Sequence, residues 1–153
     1  MESGKRIITR VYGFIIHKDE ILISEEYHYN SFMRKFPGGG MEEGEVPESC
    51  LKRELKEELD LDLMIEDCIY ITPQPFTSVF NNALLVKCLY FKVQAIPEML
   101  TLYREEYELP SSNGEEKFKW VKLSTFEKNE FTFKTDQEAF EFLKTQYYNL
   151  PGF

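Results

Sequence analysis

The sequence lacks paired cysteines. Three cysteines occur in 153 residues, and they lie far apart in the chain, at Cys50, Cys68 and Cys88. None of them forms a Cys-x-x-Cys pair, so the sequence favours neither a zinc ribbon nor a disulfide framework. We therefore expect buried, unpaired thiols.

The chain is also poor in positive charge and in long apolar runs. Lys and Arg number 18 against 27 Asp and Glu, which gives a net charge of -9 at pH 7. Nucleic acids and anionic membranes are bound through clusters of Lys and Arg, so we expect neither as a partner. No segment approaches a membrane span, and residues 1–6 lead into a short alternating run without the apolar stretch and cleavage site of a signal peptide. These features predict a cytoplasmic location.

Apolar residues are nevertheless plentiful enough for a core. Hydrophobic residues make up 42% of the chain and aromatic residues 15%, which predicts one folded domain over residues 1–153. The residue pattern predicts strands at 7–17, 21–23, 34–36, 61–72, 84–95 and 117–123, a helix at 47–59, and an irregular loop at 96–116. Thr135 and Glu138 have capping-box spacing, so a second helix is predicted to begin there and to end before Pro151.

A run of glycines leads into the first predicted helix. Pro37 is followed by Gly38, Gly39 and Gly40. Because glycine has no side chain, such a loop lets the backbone approach a phosphate or a metal closely. The three glycines are therefore candidate substrate-binding residues.

The helix that follows carries three glutamates on one face. Glu54, Glu57 and Glu58 occupy positions i, i+3 and i+4, which lie within an arc of about 100°. Carboxylates crowded in this way repel one another, so a cation is expected over them. Their oxygens are hard ligands that suit Mg²⁺ or Mn²⁺. Apolar residues at i, i+4 and i+8 form a separate stripe for the core: Leu51, Leu55 and Leu59.

An arginine is placed to hold this acidic face. Arg53 lies four residues before Glu57, a spacing that allows an ion pair, and Glu45 is a second possible partner for its guanidinium. The ends of the helix depart from good capping chemistry. Val46 is a poor N-cap, and Asp60 can adopt the left-handed conformation that favours glycine only at some cost, so a slightly altered helix exit is expected.

The segment from Gly39 to Leu61 resembles a Nudix box. The family pattern is Gly, five residues, Glu, seven residues, Arg-Glu, an aliphatic, any residue, Glu-Glu, any residue, Gly and an aliphatic; eight of its nine fixed positions are matched, with Asp60 in place of glycine. The resemblance implies an α+β Nudix fold, in which a mixed sheet lies between helices as an α/β/α sandwich.

The resemblance also implies a reaction and a set of site residues. Nudix enzymes use Mg²⁺ or Mn²⁺ to hydrolyse a nucleoside diphosphate linked to another group, so a small-molecule substrate is expected, and a homodimer is possible. The corresponding catalytic residues are Arg53, Glu54 and Glu57, with Glu45 in support. Glu54 or Glu57 helps to deprotonate the water. The implied metal ligands are Glu54, Glu57, Glu58, the Gly39 carbonyl and Glu116, the last expected in a loop before Trp120.

Two alternatives remain open at this stage, and the substrate is unspecified. A Nudix-fold module can sense a nucleotide without cleaving it, and the related prenyl diphosphate isomerases would require a catalytic cysteine among the three present. Nudix base pockets often use aromatic side chains for stacking. Candidates in predicted loops near the site are Tyr27, Tyr29, Phe32, Phe76 and Phe80.

Overall fold

The computed structural model describes residues 5–147. Its elements follow in chain order as β1 (Arg6–His17), β2 (Glu20–His28), β3 (Ser31–Lys35), β4 (Gly38–Gly40), α1 (Pro47–Leu59), β5 (Ile65–Ile71), β6 (Phe76–Thr77), β7 (Leu84–Gln94), a 3₁₀ helix (Pro97–Leu100), β8 (Glu115–Lys122), a second 3₁₀ helix (Lys128–Glu130), α2 (Lys134–Phe142) and a π-helical turn (Leu143–Tyr147).

The strands form a mixed sheet, as predicted. Its main order is β3-β2-β1-β7-β5, in which β1 and β7 run parallel and the other neighbours are antiparallel. β1 pairs with β2 only at the hairpin end, where Ile16 faces Ile21. Farther along β1, the short strand β4 pairs with Arg10–Tyr12 instead. The predicted glycine loop is therefore a strand beside the middle of the sheet.

Alternation along β1 supplies two cores, one on each face of the sheet. Val11 and Ile15 pack in the layer that contains Leu51 and Leu55 of α1. Tyr12 and Phe14 point to the opposite face and pack in the layer that contains Phe36, Phe126, Phe131 and Phe140. Successive residues of a strand point to opposite faces of the sheet. A strand such as β1, with apolar side chains on both faces, is therefore buried between two layers. The α/β/α sandwich is confirmed.

Several boundaries differ from those predicted. β2 continues to His28 rather than ending at residue 23, because it pairs with both β3 and β8. β6 was not predicted. Cys68 is exposed, contrary to the expectation of buried thiols, because β5 changes register on both sides of it and loses regular alternation. Cys50 and Cys88 are buried.

The predicted capping box at the start of the second helix is wrong. α2 begins at Lys134, and its N-cap Phe133 makes no side-chain capping bond. Thr135 instead lies 3.3 Å from the Tyr90 hydroxyl, and Asp136 is buried. Tertiary contacts with β7 thus replace the local bonds that the spacing favours. The predicted helix end near Pro151 lies outside the described residues.

Within residues 5–147, no helix combines the length and apolar character needed to cross a membrane.

Candidate active site

Helix α1 presents its apolar residues to the sheet and its acidic residues to the glycine strand. Leu51, Leu55 and Leu59 are buried as predicted. Burial of each such side chain contributes roughly 1.5–3 kcal/mol, which anchors the helix against the sheet. Val46 makes no side-chain capping bond. Asp60 adopts the left-handed conformation, with φ of 57°, and its amide donates to the Lys56 carbonyl, so the altered helix exit expected from the sequence is not observed. The helix end therefore accommodates the departure from the family pattern.

Glu54 lies directly over Gly39. A Cβ atom added to Gly39 would lie only 2.4 Å from Glu54 Cδ, so no larger residue fits while the carboxyl group keeps this position. Gly38 has φ of 144° and sits against the backbone of Tyr12, where a Cβ atom would lie 2.1 Å from the Val11 carbonyl oxygen. The two glycines thus serve separate needs. Gly38 allows close contact with β1, and Gly39 leaves room for the Glu54 carboxylate.

Arg53 organises the outer part of the acidic face. Its Nε donates to Glu45 Oε2 at 2.7 Å, and its Nη2 donates to Glu45 Oε1 at 2.9 Å. Its Nη1 contacts Glu54 Oε1 at 3.1 Å and Glu57 Oε1 at 3.2 Å, and Nη2 also donates to the Gly40 carbonyl at 3.2 Å. Hydrogen bonding to Arg53 lowers the pKa of Glu45 to about 2. Both ion pairs suggested by the spacing are present, and one guanidinium connects helix and loop.

Glu58 points to the inner side of the glycine strand. Its Oε1 accepts a hydrogen bond from the Gly38 amide at 3.4 Å. Burial, together with the neighbouring Glu116 and Glu54, raises the pKa of Glu58 to about 9 against the opposing effect of Lys35. Negative charge on the inner side is therefore incompletely compensated by the protein itself.

Glu116 reaches this place from a strand, not from the expected loop. It is the second residue of β8, which pairs with β2 over its full length. Ser24 Oγ donates to Glu116 Oε2 at 2.6 Å, and Lys35 Nζ lies 3.6 Å from the same oxygen. The prediction misplaced the boundary because the charged residues before Trp120 resemble loop composition. Hydrogen-bonded pairing with β2 places these residues in a strand instead.

Lys35 is a site residue that sequence reasoning missed. It is buried at the end of β3 and pairs with Glu26 at 3.3 Å as well as with Glu116. Burial disfavours its charged form, but Glu116, Glu58 and Glu26 together raise its pKa above the ordinary value. The feature of the sequence that could have identified Lys35 is its position, three residues before Gly38.

The oxygen donors have the chemistry of a hard divalent-metal site, but they are held in ion pairs. In the described part of the chain, no three His, Cys, Asp or Glu side chains are grouped as a metal site. Arg53 holds Glu54 and Glu57, whereas Glu58 is turned toward Gly38. The carboxyl oxygens of Glu58 and Glu116 are ligands that fit a divalent cation, whose positive charge would favour the ionised form of Glu58. The side chains must shift to surround one.

A cavity of about 660 Å³ extends from this acidic face between the sheet and α2. Its volume lies within the range of about 300–1,000 Å³ that is typical of small-molecule sites. Its lining includes Gly38, Gly39, Gly40, Glu54, Glu58 and Glu116. Glu57 is not part of the lining, and 59% of its side chain is exposed. The cavity thus brings together most of the predicted site, with Glu57 at its outer margin.

Aromatic side chains also line the cavity. Tyr29, Phe76 and Phe80 line it, whereas Tyr27 and Phe32, also proposed from the sequence, do not. The rings of Tyr29 and Phe80 stack with centroids 4.6 Å apart. Tyr29 has a positive φ of 51° at the tip of the β2–β3 hairpin, a conformation that a bulky residue rarely adopts. The hairpin tip and the loop after β6 therefore meet over the cavity.

Two polar residues of the cavity carry no motif signal in the sequence. Arg10 projects from β1, and Asp136 projects from the first turn of α2. The Tyr90 hydroxyl donates to Asp136 Oδ1 at 2.6 Å. Burial raises the pKa of Asp136 to about 6, despite the opposing effect of this hydrogen bond. Asp136 reaches the cavity only because α2 packs against the sheet.

The cysteines do not supply a reactive thiol. Cys88 lines the cavity, but burial raises the pKa of its thiol to about 12. Burial also raises the pKa of Cys50 to about 11, and its Sγ faces the Gly39 carbonyl at 4.0 Å. A thiol of such high pKa stays protonated near neutral pH. The isomerase alternative therefore gains no support from the site.

Comparison with known proteins agrees with this architecture. A family model described as the NUDIX domain matches residues 8–144. A NUDIX hydrolase from Nitrosomonas europaea superimposes with a TM-score of 0.66 at 17% identity, covering 89% of this chain and 87% of that one. The MutT protein from Methanosarcina mazei gives a TM-score of 0.65 at 20% identity, covering 92% and 94%. The E. coli ORF135 protein gives 0.64 at 17% identity, covering 94% of each chain. No curated protein sequence matches significantly.

Proposed function

Because the chain belongs to the Nudix family of hydrolases, we propose that it uses Mg²⁺ or Mn²⁺ to hydrolyse a nucleoside diphosphate linked to another group. The observation that carries this proposal is the packing of the Glu54 carboxylate over Gly39 at the edge of a cavity large enough for a nucleotide. A divalent cation bound there would neutralise the diphosphate and lower the pKa of bound water.

The roles of the protein groups follow from their positions. Glu54, Glu57, Glu58, Glu116 and the Gly39 carbonyl are the proposed oxygen ligands. Glu54 or Glu57 accepts a proton from the attacking water, and general-base help of this kind typically contributes about two to four powers of ten in rate. The water oxygen forms a bond to one phosphorus while the bond to the bridging oxygen breaks.

Arg53 and the glycine strand have supporting roles in this scheme. Arg53 fixes the carboxylates of Glu54 and Glu57 through hydrogen bonds, and Glu45 fixes Arg53 in turn. Gly38, Gly39 and Gly40 let the substrate phosphates approach the backbone closely. The aromatic side chains of the cavity lining, such as Tyr29 and Phe80, suit the flat ring of a nucleobase.

The proposal is tested with a panel of nucleoside triphosphates, dinucleotides and sugar nucleotides. Each is incubated with the protein and Mg²⁺ or Mn²⁺, and the phosphorus-containing products are identified. We expect hydrolysis of at least one substrate, with Glu57→Gln lowering kcat by at least about 100-fold. Glu48→Gln is the matched control, because Glu48 is exposed on the first turn of the same helix.

Two results would contradict the assignment. Equal rates for Glu57→Gln and the unmodified protein at saturating metal would remove Glu57 from the site. Absence of hydrolysis across the panel, combined with a raised melting temperature in the presence of one nucleotide, would favour the nucleotide-sensing alternative instead.

A further inference from the structure

Arg10 has no role in the reaction proposed above, although it lies beside the residues that do. It lies on β1 opposite both Gly40 of β4 and Cys88 of β7. Its side chain faces the cavity, and Nη1 lies 3.5 Å from the place that a Cβ atom on Gly40 would occupy. Arg10 therefore stands next to the glycine strand, on the side of it that faces the cavity.

The guanidinium of Arg10 is held in place by a neutral group. Its Nε donates to the Tyr12 hydroxyl at 2.5 Å, and its Cζ lies 5.6 Å from the centre of the Tyr12 ring. Burial raises the pKa of Tyr12 to about 12, so this hydroxyl is uncharged near neutral pH. Tyr12 thus orients the guanidinium but does not balance its charge.

No carboxylate among residues 5–147 lies close enough to Arg10 for an ion pair, although Glu54 and Asp136 act on it electrostatically from a greater distance. Lys35 is the other Lys or Arg that lines the cavity, and it is paired with Glu26 and Glu116. Desolvating a charge is costly unless an opposite charge or hydrogen-bond partners accompany it. An arginine retained in the cavity wall without a carboxylate partner is therefore suited to an anion that arrives from outside the chain.

We propose that Arg10 binds a phosphate oxygen of the substrate diphosphate and so positions the diphosphate against the glycine strand. This inference rests on the proposed function and deepens it. Guanidinium presents N–H groups in a planar fork that matches phosphate oxygens in pairs, which a lysine cannot reproduce. With Nε engaged by Tyr12, the Nη1 and Nη2 groups are those available to the phosphate. Arg10 thereby brings a positive charge to the phosphates beside the glycine strand.

The experiment measures binding rather than turnover. Methylenediphosphonate has a P–C–P link that water does not cleave, and its affinity in excess Mg²⁺ is measured by isothermal titration calorimetry. The variants are Arg10→Gln, Arg10→Lys and the control Lys87→Gln, which removes a positive charge from an exposed position on β7. We expect Arg10→Gln to weaken binding by about 10-fold or more, Arg10→Lys to weaken it by about threefold to tenfold, and Lys87→Gln to change it less than about twofold.

Equal affinity of Arg10→Gln and the unmodified protein for methylenediphosphonate would overturn the inference. Melting temperatures show whether each variant folds. If Arg10→Gln fails to fold, Arg10→Lys decides the question, because it keeps the charge and lacks the fork. Unchanged affinity in Arg10→Lys would then overturn the proposed phosphate contact.

The kinetic readout separates this inference from the proposed function. For a substrate that the protein hydrolyses, Arg10→Gln is expected to raise KM by about 10-fold or more. Hydrolysis with an unchanged KM in this variant would leave the function standing and overturn the role of Arg10. Absence of hydrolysis in the unmodified protein, together with Arg10-dependent binding of methylenediphosphonate, would overturn the function and support the binding role.

Discussion

Arg53 and Glu45 are joined at two points, with Nε to Oε2 at 2.7 Å and Nη2 to Oε1 at 2.9 Å. The pair spans the loop between the glycine strand and α1. Because the Nη1 of the same guanidinium contacts Glu54 and Glu57, the orientation of both carboxylates depends on a residue that lies outside the cavity.

Glu45→Gln should therefore lower kcat by about 10-fold, since the guanidinium loses its strongest anchor and the carboxylates lose a fixed orientation. Steady-state kinetics on the substrate found by the panel measures the effect. Glu42→Gln is the control, because Glu42 is largely exposed and lies 3.8 Å from Arg53 Nη1. A kcat for Glu45→Gln within twofold of that for the control would contradict the anchoring role.

Gly39→Ala should abolish most activity with little loss of stability. The added Cβ atom would meet the terminal atoms of Glu54, and that flexible side chain can rotate away, which removes the carboxylate from its place. We expect kcat to fall by about 100-fold or more and the melting temperature to change little. Glu43→Ala is the control, because Glu43 is exposed in the loop that follows the glycine strand and has no role in the proposed site. Equal activity of the two variants would contradict this interpretation.

Glu58 should make the metal-free protein less stable as the pH rises. Its pKa is about 9 in the folded protein, against an ordinary value of 4.5. Between these values the folded state binds more protons than the unfolded state, so the free energy of unfolding falls with increasing pH. In buffer with a chelator, Glu58→Gln should be more stable than the unmodified protein by about 1–3 kcal/mol at pH 7.5, and equally stable at pH 4.

Urea unfolding at the two pH values measures this difference. Glu57→Gln is the comparison, because Glu57 is exposed on the same helix, and its stability should change by no more than about 1 kcal/mol. The same dependence on pH in the Glu58→Gln variant as in the unmodified protein would show that another group is responsible. Excess Mg²⁺ should reduce the advantage of Glu58→Gln, since a bound cation compensates the charge.

The raised pKa of Asp136 predicts a second dependence of stability on pH, separate from that of Glu58. Its folded pKa of about 6 lies above the ordinary value of 3.8, so the stability it contributes is fully present below pH 3.8 and is lost as pH rises through 6. Asp136→Asn keeps an acceptor for the Tyr90 hydroxyl and carries no charge. It should stabilise the protein by about 1–3 kcal/mol at pH 8 and by almost nothing at pH 3.5.

The exposed Asp67 is the control for this substitution, since Asp67→Asn should leave the stability difference between pH 3.5 and pH 8 unchanged. Thermal unfolding at the two pH values, in the presence of chelator, is the measurement. A stabilisation by Asp136→Asn that is equal at both pH values would argue for improved packing and against a buried charge.

Predictions from the sequence were most accurate where periodicity and burial agree. The spacing of Leu51, Leu55 and Leu59 correctly predicted the buried side of α1. Predictions of strand and helix boundaries were less accurate where the boundary depends on contacts with distant parts of the chain. Glu116 was expected in a loop because its charged neighbours resemble one, whereas pairing with β2 makes it part of a strand. Thr135 was expected to cap α2 and instead contacts Tyr90.

The amino-acid sequence alone determined the acidic helix, the run of glycines before it and the spacing between them, because these depend on residues that are close together in the chain, whereas pairing with β1 makes the glycines a strand. The meeting of Lys35, Glu58 and Glu116, and the placement of Arg10 and Asp136 in one cavity, were decided only by the tertiary structure. These residues come from four strands and helices besides α1, and their proximity depends on which strands pair and on the face to which each side chain points. Neither property is contained in any local pattern of residues.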